Sequence, residues 1–408
     1  MNPLFSVIIP VLNNWDLTHA CLQSLREHTP DTAFEVIVVD NASSDATETE
    51  LQALGTALFG ENFLALRFAE NRNFGPASNA GALRAKSPLL FFLNNDTLLT
   101  PGWAPPLLAA LESDPGLGAV GPLLLYEDNT VQHIGVAFTL TSVSHLYRTF
   151  PTHHPAVRRK RHLQALTAAA LLMPRALFLE AGSFYEGYRN GFEDVDLCLR
   201  LSADFGKRLC CVLESAIYHL ESRTPGRKTA DSQNLRLLSK RRNGRFSPDL
   251  HILGLEDGFE PFISDGYGIG LRLRKEEEEE LTAAARGKEP SFWYAQLRDN
   301  PYWAAGHREL ISMLEKAGEG REAVPLFLEL CILERKAETF REGAIFAARH
   351  RDGKTSSYMA ERYEELLRSR KNRALAYSML RMVKGRDTFL QNLYEEKIRE
   401  NFSGAVQP

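Results

Sequence analysis

The chain has 408 residues, of which 44% are hydrophobic and 25% are charged, and its formal net charge is −4. This ordinary globular composition leaves room for two or more domains. The slightly acidic balance gives no general reason to expect a nucleic acid as a partner. The five cysteines form no CxxC pair, which favours a reduced compartment over a disulfide framework or a zinc site.

The N-terminal stretch MNPLFSVIIPVLNNWD has no positively charged leader region and passes directly into a first strand. Elsewhere in the chain, no segment is long and apolar enough to span a bilayer. We therefore expect a cytoplasmic protein, and we leave open a peripheral contact with a membrane.

The first predicted elements alternate strand, helix and strand. Residues 5–10 (FSVIIP) and 34–40 (FEVIVVD) are short apolar runs, and the residues from about Asp16 onward carry apolar side chains at helical spacing. This order predicts a right-handed βαβ unit with two parallel strands. Strands that are apolar nearly throughout are typical of a sheet covered on both faces.

Asp40 closes the second of these strands, and the residues after it open a helix. A carboxylate at the end of such a strand can accept hydrogen bonds from a nucleobase or from ribose hydroxyls. Alternatively, Asp40 only stabilises the turn, since Ser43, Ser44 and Asp45 are good helix-capping residues. We favour ligand binding for Asp40 and helix capping for Asp45.

A third strand is predicted at residues 63–68, and the amide-rich run 70–81 (ENRNFGPASNAG) then leads into a helix. Gly75 and Pro76 make a tight entry to that helix. A loop that enters a helix N-terminus is suited to phosphate groups or sugar hydroxyls. The alternative is an ordinary capped start of a helix.

The stretch 89–99 (LLFFLNNDTLL) reads as a buried strand that ends in a polar cluster. Ligands bind at the carboxyl ends of strands in open α/β sheets, so Asp96 in this cluster is a candidate oxygen ligand for a hard divalent cation. The alternative is a strand followed by a capped turn. Further along, residues 117–125 (LGAVGPLLL) are predicted to form an edge strand, because glycine and proline interrupt the run.

A second acidic cluster lies in the run 191–200 (GFEDVDLCLR), which has the features of a helix start. Three acids in the first turn of a helix interact favourably with the helix dipole, and this structural role is enough to explain Asp196. A carboxylate held at this helix start, across a crevice from a bound phosphate, would also be a good general base. A further strand follows at residues 210–218, and His219 at its end could complete a metal site with Asp96.

The character of the chain changes beyond about Arg245. Residues 251–289 include a glycine-rich part and a run of glutamates, and we interpret them as an irregular, charged linker. From residue 290 to the end at 408 the pattern is helical, and residues 300–327 have the spacing of one tetratricopeptide-like helix pair. The run Gly266-Tyr-Gly-Ile-Gly270 is not a dinucleotide-binding loop, since no strand and helix flank it.

Five motifs in a fixed order carry a resemblance to a known family: FSVIIPVLNN, VIVVDNASSD, NRNFGPASNAG, FLNNDT and GFEDVDLCLR. Through these five motifs, the first roughly 250 residues resemble the family 2 glycosyltransferases of GT-A fold. The resemblance implies an α/β domain over residues 1–250, with a Rossmann-like, mixed but mostly parallel sheet flanked by helices. The linker 251–289 and an all-α domain over residues 290–408 would follow.

The resemblance also assigns roles in a nucleotide-sugar site. It implies that Asp40 contacts the nucleobase, with Asn41 and Asp45 nearby. It places the following residues along the donor site: Pro10, Asn41, Asn73, Gly75, Asn79, Asn94 and Asn95.

For the chemistry, the resemblance implies that Asp96 binds a Mg²⁺ or Mn²⁺ ion on the donor diphosphate and that His219 is an additional ligand. Asp194 would be the general base, with Glu193 beside it. One departure is visible, because the family's aspartate-any-aspartate motif stands here as Asn94-Asn95-Asp96 and only its last acid is present.

The function implied is an inverting, metal-assisted transfer of a sugar from a nucleotide donor to a hydroxyl of a surface polysaccharide or lipid-linked glycan. The basic stretches 158–161 and 236–245 could lie against an anionic membrane or a lipid diphosphate, or could be solvated surface.

The helical region could instead present a protein or peptide acceptor, or form a homodimer. A non-catalytic scaffold is a third possibility. A dinucleotide-dependent oxidoreductase is disfavoured, because no GxGxxG motif follows the first strand.

Overall fold

The computed structural model of the chain describes residues 3–30, 32–220, 231–242 and 246–402. The chain forms two compact units. The first consists of Met1–Ala137 and Val143–Ser247, and the second of Phe138–Ser142 and Pro248–Pro408.

The elements up to residue 241 alternate between strands and helices in the first half and become more irregular after it. In chain order they are β1 (Phe5–Val11), α1 (Trp15–Glu27), β2 (Phe34–Asp40), α2 (Thr47–Phe59), β3 (Phe63–Arg67), α3 (Phe74–Arg84), β4 (Leu89–Leu93), β5 (Thr97–Leu99), α4 (Ala104–Ser113), β6 (Leu117–Leu125), β7 (Val131–His133), β8 (Val136–Phe138), β9 (Val143–His145), α5 (Pro155–Arg158), β10 (Ala170–Pro174), α6 (Arg175–Glu180), α7 (Glu193–Phe205), β11 (Arg208–His219) and α8 (Asp231–Arg241).

The first unit is built on a nine-stranded sheet with the order β3-β2-β1-β4-β10-β6-β11-β5, and β7 pairs with β6. Strands β3, β2, β1 and β4 are parallel to one another. Strand β10 is antiparallel to both β4 and β6, whereas β11 is parallel to β6. The sheet is therefore mixed but mostly parallel and flanked by helices, which confirms the predicted GT-A fold class.

The central strands are apolar because helices cover both faces of the sheet. Ile8, Val38 and Phe92 are fully buried on them. Helix α1 is amphipathic and buries Cys21, Leu22 and Leu25. Burial of these side chains, at roughly 25 cal/mol per Å² of apolar surface, is the main stabilising contribution of this layer.

The prediction of an edge strand at residues 117–125 was wrong. Strand β6 lies inside the sheet between β10 and β11, and all of its residues are buried. Pro122 is tolerated there because the register of β11 shifts between Val212 and Ala216, directly beside the proline. A proline lacks the N–H that a regular ladder needs, and such irregularities are where proline is accommodated within sheets.

The second unit contains a two-stranded hairpin and helices. Its elements are α9 (Leu250–Glu256), β12 (Glu260–Ile263), β13 (Ile269–Arg272), α10 (Lys275–Ala285), α11 (Pro290–Asp299), α12 (Ala304–Lys316), α13 (Ala323–Glu334), α14 (Ala337–Arg349), α15 (Gly353–Arg370), α16 (Arg373–Val383) and α17 (Thr388–Phe402). The segment from α12 to α17 is all-helical, as expected for the C-terminal part.

Residues 251–289, which we expected to be an irregular linker, hold α9, the hairpin β12–β13 and α10. The hairpin is part of an apolar core, in which Ile263 and Ile269 pack with residues of α16 and α17. The turn contributes the buried side chain of Tyr267 to this core. The Tyr394 hydroxyl also donates a 2.8 Å hydrogen bond to the carbonyl of Tyr267. Tertiary burial thus gives order to a stretch whose glycines suggested a loop.

The helices of the C-terminal segment pack against their neighbours in sequence, as α12 does on α13 and α14 does on α15. Within α12, Gly306 permits a close approach, since an added Cβ would lie 2.4 Å from the ring of Trp303. Trp303 in turn stacks on Trp293 with ring centroids 5.2 Å apart. The tetratricopeptide-like assignment of this region stays a prediction. In the described part of the chain, no helix has the length and hydropathy needed to cross a membrane.

Candidate active site

A cavity of about 210 Å³ opens where β1 and β4 end, beside the start of α7. This is the edge of the sheet at which parallel α/β folds bind ligands. Most of the residues predicted for the site contribute to its wall, namely Pro10, Asn41, Asn94, Asn95, Asp96, Glu193 and Asp194. The structure therefore brings together side chains from four separate motifs of the sequence.

Asp96 and His219 meet because β5 pairs antiparallel with the end of β11, where Thr97 stands opposite His219. The carbonyl of Asp96 also accepts a 2.8 Å hydrogen bond from the N–H of Leu220. As a result, the Asp96 Oδ1 and His219 Nε2 atoms lie 3.1 Å apart. The polar cluster after β4 and the end of β11 thus meet in space, while a cation bound between Asp96 and His219 stays a prediction.

The hydrogen bonds of His219 define which ring nitrogen carries a proton. Gln132 donates from Nε2 to the His219 carbonyl at 2.8 Å, so its Oε1 faces the ring and accepts from Nδ1 at 2.6 Å. On the other side of the ring, the amide nitrogen of Asn94 lies 3.3 Å from Nε2. This network assigns the proton to Nδ1 and leaves Nε2 as an acceptor.

The donor set of this centre fits a divalent cation. An unprotonated Nε2 beside a carboxylate oxygen brings two electron pairs together, and a divalent cation can accept both of them. Imidazole and carboxylate together suit a transition metal such as Mn²⁺. No group of three or more His, Cys, Asp or Glu side chains in the described ranges could hold a metal, so other oxygen ligands would have to complete the coordination.

Asp194 and Glu193 stand at the start of α7, and the structure holds them differently. The Asp194 carboxylate accepts from the N–H of Ala168 at 2.9 Å and from the N–H of Val195 at 2.8 Å. Glu193 is only 2% exposed and accepts from the N–H of Gly191 at 2.6 Å. Asp194 is the less buried of the two, which favours it as the acid or base that meets a ligand.

The backbone before α7 is unusual, because Asn190, Gly191 and Phe192 have successive positive φ angles of 49°, 153° and 75°. For the two non-glycine residues this conformation is uncommon and is found preferentially at functional sites. Asn190 also ties the loop to α3, since its Oδ1 accepts from the N–H of Phe74 at 2.9 Å. The loop, the start of α3 and the start of α7 together form one side of the cavity.

Asp40 is 3% exposed and does not belong to the cavity wall. Its carboxylate accepts from the N–H of Ser43 at 2.8 Å and forms an ion pair with Arg67. The neighbouring Asn41 does line the cavity. Its side chain also holds the next loop, because it accepts a hydrogen bond from the N–H of Arg72 at 2.8 Å and donates one to the carbonyl of Asn73 at 3.1 Å. In this structure Asp40 therefore supports a turn.

The residues of the amide-rich run also have structural partners, and Asn73, Gly75 and Asn79 are not in the cavity wall. Asn79 brackets the backbone of Phe184, accepting from its N–H at 3.0 Å and donating to its carbonyl at 2.9 Å. A Cβ added at Gly75 would be in ordinary contact with Glu193 Cγ at 3.5 Å. These residues hold α3 against the loop that leads to α7.

Asp45 caps two helices, and helix capping is the role that we favoured for it from the sequence. Its carboxylate accepts from the N–H of Trp15 at the start of α1 and from the N–H of Thr47 at the start of α2, both at 3.0 Å. Partial burial opposes ionisation of the carboxyl, but these hydrogen bonds hold its pKa below the ordinary value.

Asp196 is fully buried and anchors a cluster of arginines. Arg200 lies 3.1 Å from its carboxylate, and Arg241 and Arg242 of the predicted basic stretch lie at 3.3 and 2.8 Å. Burial alone would raise the pKa of this carboxyl, but the arginines outweigh it and hold the pKa below its usual range. Residues 243–245 of the stretch lie outside the described residues.

Sequence reasoning missed several residues of the site. Gln132 lies in a stretch without a recognisable pattern, and residues 167–169, which line the cavity, belong to a largely apolar run that carries no site motif. The backbone of this loop joins both halves of the site, because Ala169 O accepts from Asn94 N at 2.9 Å while Ala168 N donates to Asp194. Backbone contacts of this kind leave no signature in residue type.

Comparison with known proteins supports a family assignment for the N-terminal part. Residues 6–169 match the model of the family described as glycosyl transferase family 2. An uncharacterized protein of Sinorhizobium fredii, y4gI, is 30% identical over 243 residues, which are 57% of this chain and 26% of that protein. The O-antigen biosynthesis protein RfbC of Myxococcus xanthus is 32% identical over 227 residues, which are 54% of this chain and 17% of that protein. The chain thus spans about a quarter or less of the length of these two relatives.

Among solved structures, a mannosyltransferase of Pyrobaculum calidifontis in complex with GDP-Man and Mn²⁺ covers 90% of this chain and 88% of its own, with 16% identity and a TM-score of 0.42. GalNAc-T7 with UDP, GalNAc and Mn²⁺ covers 58% of this chain and 48% of its own, with 18% identity and a TM-score of 0.48. Residues 6–169 of this chain match glycosyl transferase family 2, which is also the family that its ordered motifs resemble.

Proposed function

We propose that this protein is a glycosyltransferase that moves a sugar from a nucleoside diphosphate donor to a hydroxyl group of an acceptor in a single, inverting displacement. The observation that carries the proposal is the convergence of Asp96, beside His219, and Asp194 on one cavity at the carboxyl ends of the strands. Cation-binding and proton-accepting groups are the two kinds of side chain that this reaction needs.

Each chemical requirement has a candidate residue. Departure of the diphosphate needs its developing charge to be stabilised, and a Mg²⁺ or Mn²⁺ ion held by Asp96 and His219 would supply that Lewis-acid stabilisation. The acceptor hydroxyl must lose a proton as it attacks, and Asp194 would accept it. The two N–H donors from Ala168 and Val195 hold the Asp194 carboxylate in place for this step.

The wall of the cavity offers partners for the rest of the donor. Pro10 and Asn41 stand at the ends of the first two strands, where the resemblance places the nucleotide. Asn94 and Asn95 adjoin the proposed cation site, where amide groups can bond sugar hydroxyls or phosphate oxygens. Asp40, Asn73, Gly75 and Asn79 would act on the donor only through the loops that they hold.

For the acceptor, we propose a growing surface polysaccharide or a lipid-linked glycan. Similarity to a relative named for O-antigen biosynthesis supports this choice. A location in the cytoplasm, with peripheral membrane contact, would accord with such an acceptor. A protein or peptide acceptor bound by the C-terminal helices is the second candidate. A scaffold without catalysis is the third, and the convergence of acidic groups on one cavity disfavours it.

The first experiment is a thermal-shift screen of the wild-type protein against a panel of nucleoside diphosphates and nucleotide sugars, with and without Mn²⁺. A ligand that binds only the native state raises the melting temperature by mass action. We expect one nucleotide to raise it in a Mn²⁺-dependent way and the Asp96→Ala variant to lose that shift. Asp114→Ala is the matched control, because Asp114 pairs with Arg208 at the surface and is not in the cavity wall.

A retained shift in Asp96→Ala would contradict the assigned cation site. No shift from any nucleotide in either condition would contradict the transferase and support the scaffold. Once a donor is found, the anomeric configuration of the product, followed by NMR, tests the single displacement, and retention of configuration would overturn the inverting mechanism.

A further inference from the structure

Gln132 makes two hydrogen bonds to one residue. Its side chain is fully buried, donates to the carbonyl of His219 at 2.8 Å and accepts from the Nδ1 of the same residue at 2.6 Å. The two bonds use both ends of the amide, so the amide cannot turn over without losing both. The imidazole is therefore held in orientation and in tautomer by a single side chain.

The held tautomer directs a lone pair toward the centre described above. With the proton on Nδ1, the Nε2 atom is an acceptor, and it lies 3.1 Å from Asp96 Oδ1 and 3.3 Å from the amide nitrogen of Asn94. A ring whose far nitrogen donates to a protein acceptor is the usual arrangement of a histidine that binds a metal through the other nitrogen. His219 is only 3% exposed, so water does not compete for this position.

We propose that Gln132 is a positioning residue that holds His219 in the Nδ1–H tautomer and so prepares Nε2 and Asp96 to share a divalent cation. This inference rests on the cation site of the proposed function and adds to it the residue that would set the affinity of the site.

Strand β7 ties this arrangement to the rest of the cavity. Gln132 has His133 beside it on the strand, and His133 Nε2 accepts from the N–H of Thr167 at 3.3 Å.

Two substitutions separate positioning from a purely structural role. Gln132→Met removes both hydrogen bonds at nearly constant length. Gln132→Glu keeps an oxygen acceptor for Nδ1 but loses the donor to the His219 carbonyl. If Gln132 only satisfies that buried carbonyl, both variants should have the same effect. If it positions the ring, Gln132→Met should change the tautomer and the cation affinity, while Gln132→Glu should keep both.

The tautomer is measured on protein labelled with ¹⁵N-histidine, from the ¹⁵N shifts of the imidazole, with His219→Asn used to assign the signal. The sample contains no metal, so this readout does not depend on activity. We expect the Nδ1–H form in the wild type and in Gln132→Glu, and a mixture or the other form in Gln132→Met. An Nε2–H form in the wild type, or an unchanged tautomer in Gln132→Met, would overturn the proposal.

Cation affinity is then measured by electron paramagnetic resonance of free Mn²⁺, in the presence of the nucleoside diphosphate that the thermal-shift screen selects. We expect Gln132→Met to weaken Mn²⁺ binding by about 10- to 100-fold and Gln132→Glu to bind at least as tightly as the wild type. Equal affinity of the wild type and Gln132→Met overturns this inference and leaves the cation site of the proposed function intact. Absence of Mn²⁺ binding in the wild type overturns both.

Discussion

The Asp194 carboxylate accepts a hydrogen bond from the backbone N–H of Ala168 at 2.9 Å, and this bond joins the start of α7 to the loop before β10. Both residues belong to the cavity wall. The carboxylate is thus held by the main chain of a different element, while its edge remains available to a ligand. A group fixed in this way is suited to accept a proton without a cost of reorganisation.

We expect Asp194→Asn to lower kcat by about 10²- to 10⁴-fold, the usual contribution of a general base. The affinity for the donor nucleotide should change little, because an amide keeps an oxygen that can accept from one of the two N–H groups. Steady-state kinetics and nucleotide titration check the two expectations. Glu193→Gln is the comparison variant, because Glu193 also lies in the cavity wall, and a loss of kcat as large as that of Asp194→Asn would contradict the assignment of the base to Asp194 alone.

A second prediction concerns Asp40 and Arg67, whose ion pair closes the turn after β2. Arg67 is 42% exposed but the Asp40 side chain is only 4% exposed, so Arg67→Ala leaves a buried carboxylate without its counter-charge and should lower the free energy of unfolding by about 1–3 kcal/mol. Asp40→Ala should cost about 1–3 kcal/mol, because it leaves the buried N–H of Ser43 without its acceptor. Urea unfolding measures both changes.

The same pair of variants tests nucleobase binding by Asp40. If Asp40 acts only on the turn, the two variants should alter nucleotide affinity in proportion to their effect on stability. A large loss of affinity in Asp40→Ala, accompanied by an unchanged affinity in Arg67→Ala, would instead show direct contact between Asp40 and the nucleotide. Isothermal titration of the selected nucleoside diphosphate distinguishes the two cases.

A third prediction concerns Asn79, whose side chain brackets the N–H and the carbonyl of Phe184. Asn79→Ala removes both hydrogen bonds, together with a third to Glu186 Oε1 at 3.1 Å, and should lower the free energy of unfolding by about 1–3 kcal/mol. Because Asn79 is outside the cavity wall, the variant should retain Mn²⁺-dependent nucleotide binding under conditions in which it is fully folded. A variant with wild-type stability and no nucleotide binding would place Asn79 at the donor.

A fourth prediction concerns the buried carboxylate of Asp196 and its arginines. Asp196→Asn leaves Arg200, Arg241 and Arg242 without their counter-charge and should cost about 3–5 kcal/mol at pH 7. Since the pKa of this carboxyl is lowered in the folded protein, the contribution is complete above its unfolded pKa of about 3.9 and disappears as the pH falls through the folded pKa.

The difference in stability between the wild type and Asp196→Asn should therefore be constant between pH 7 and pH 5 and should shrink on further acidification. Denaturant unfolding of both proteins across this range provides the measurement. Lys160→Gln is a suitable control, because the ion pair of Lys160 with Glu214 is exposed on both sides and should contribute little at any pH. A difference that grows below pH 4 would contradict the assigned direction of the pKa shift.

The central strands were predictable because their burial on both faces demands continuous apolar runs. Residues 34–40 were predicted as a strand, and β2 has these bounds. The start of α7 was predictable from its acidic first turn. By contrast, β6 was placed at an edge, because its glycine and proline have local preferences that the bulge in the neighbouring β11 overrides.

The candidate site was predictable in part. Asp96, Asp194 and the asparagines after β4 reach the cavity because parallel strands end at a common edge, which makes their meeting a consequence of the strand pattern. The neighbourhood of Asp40 was not predictable in the same way. Whether a carboxylate at a strand end meets a ligand or an arginine depends on β3, whose Arg67 has no distinguishing pattern.

The sequence by itself thus determined the βαβ order, the mostly parallel sheet and the identity of the acids at its carboxyl edge, since hydrophobic periodicity and strand direction are local properties. Only the tertiary structure decided the partners of each polar group: Gln132 behind His219, Ala168 beside Asp194 and Arg67 on Asp40. These contacts join residues far apart in the chain. They depend on distances and directions that are set after the elements have packed.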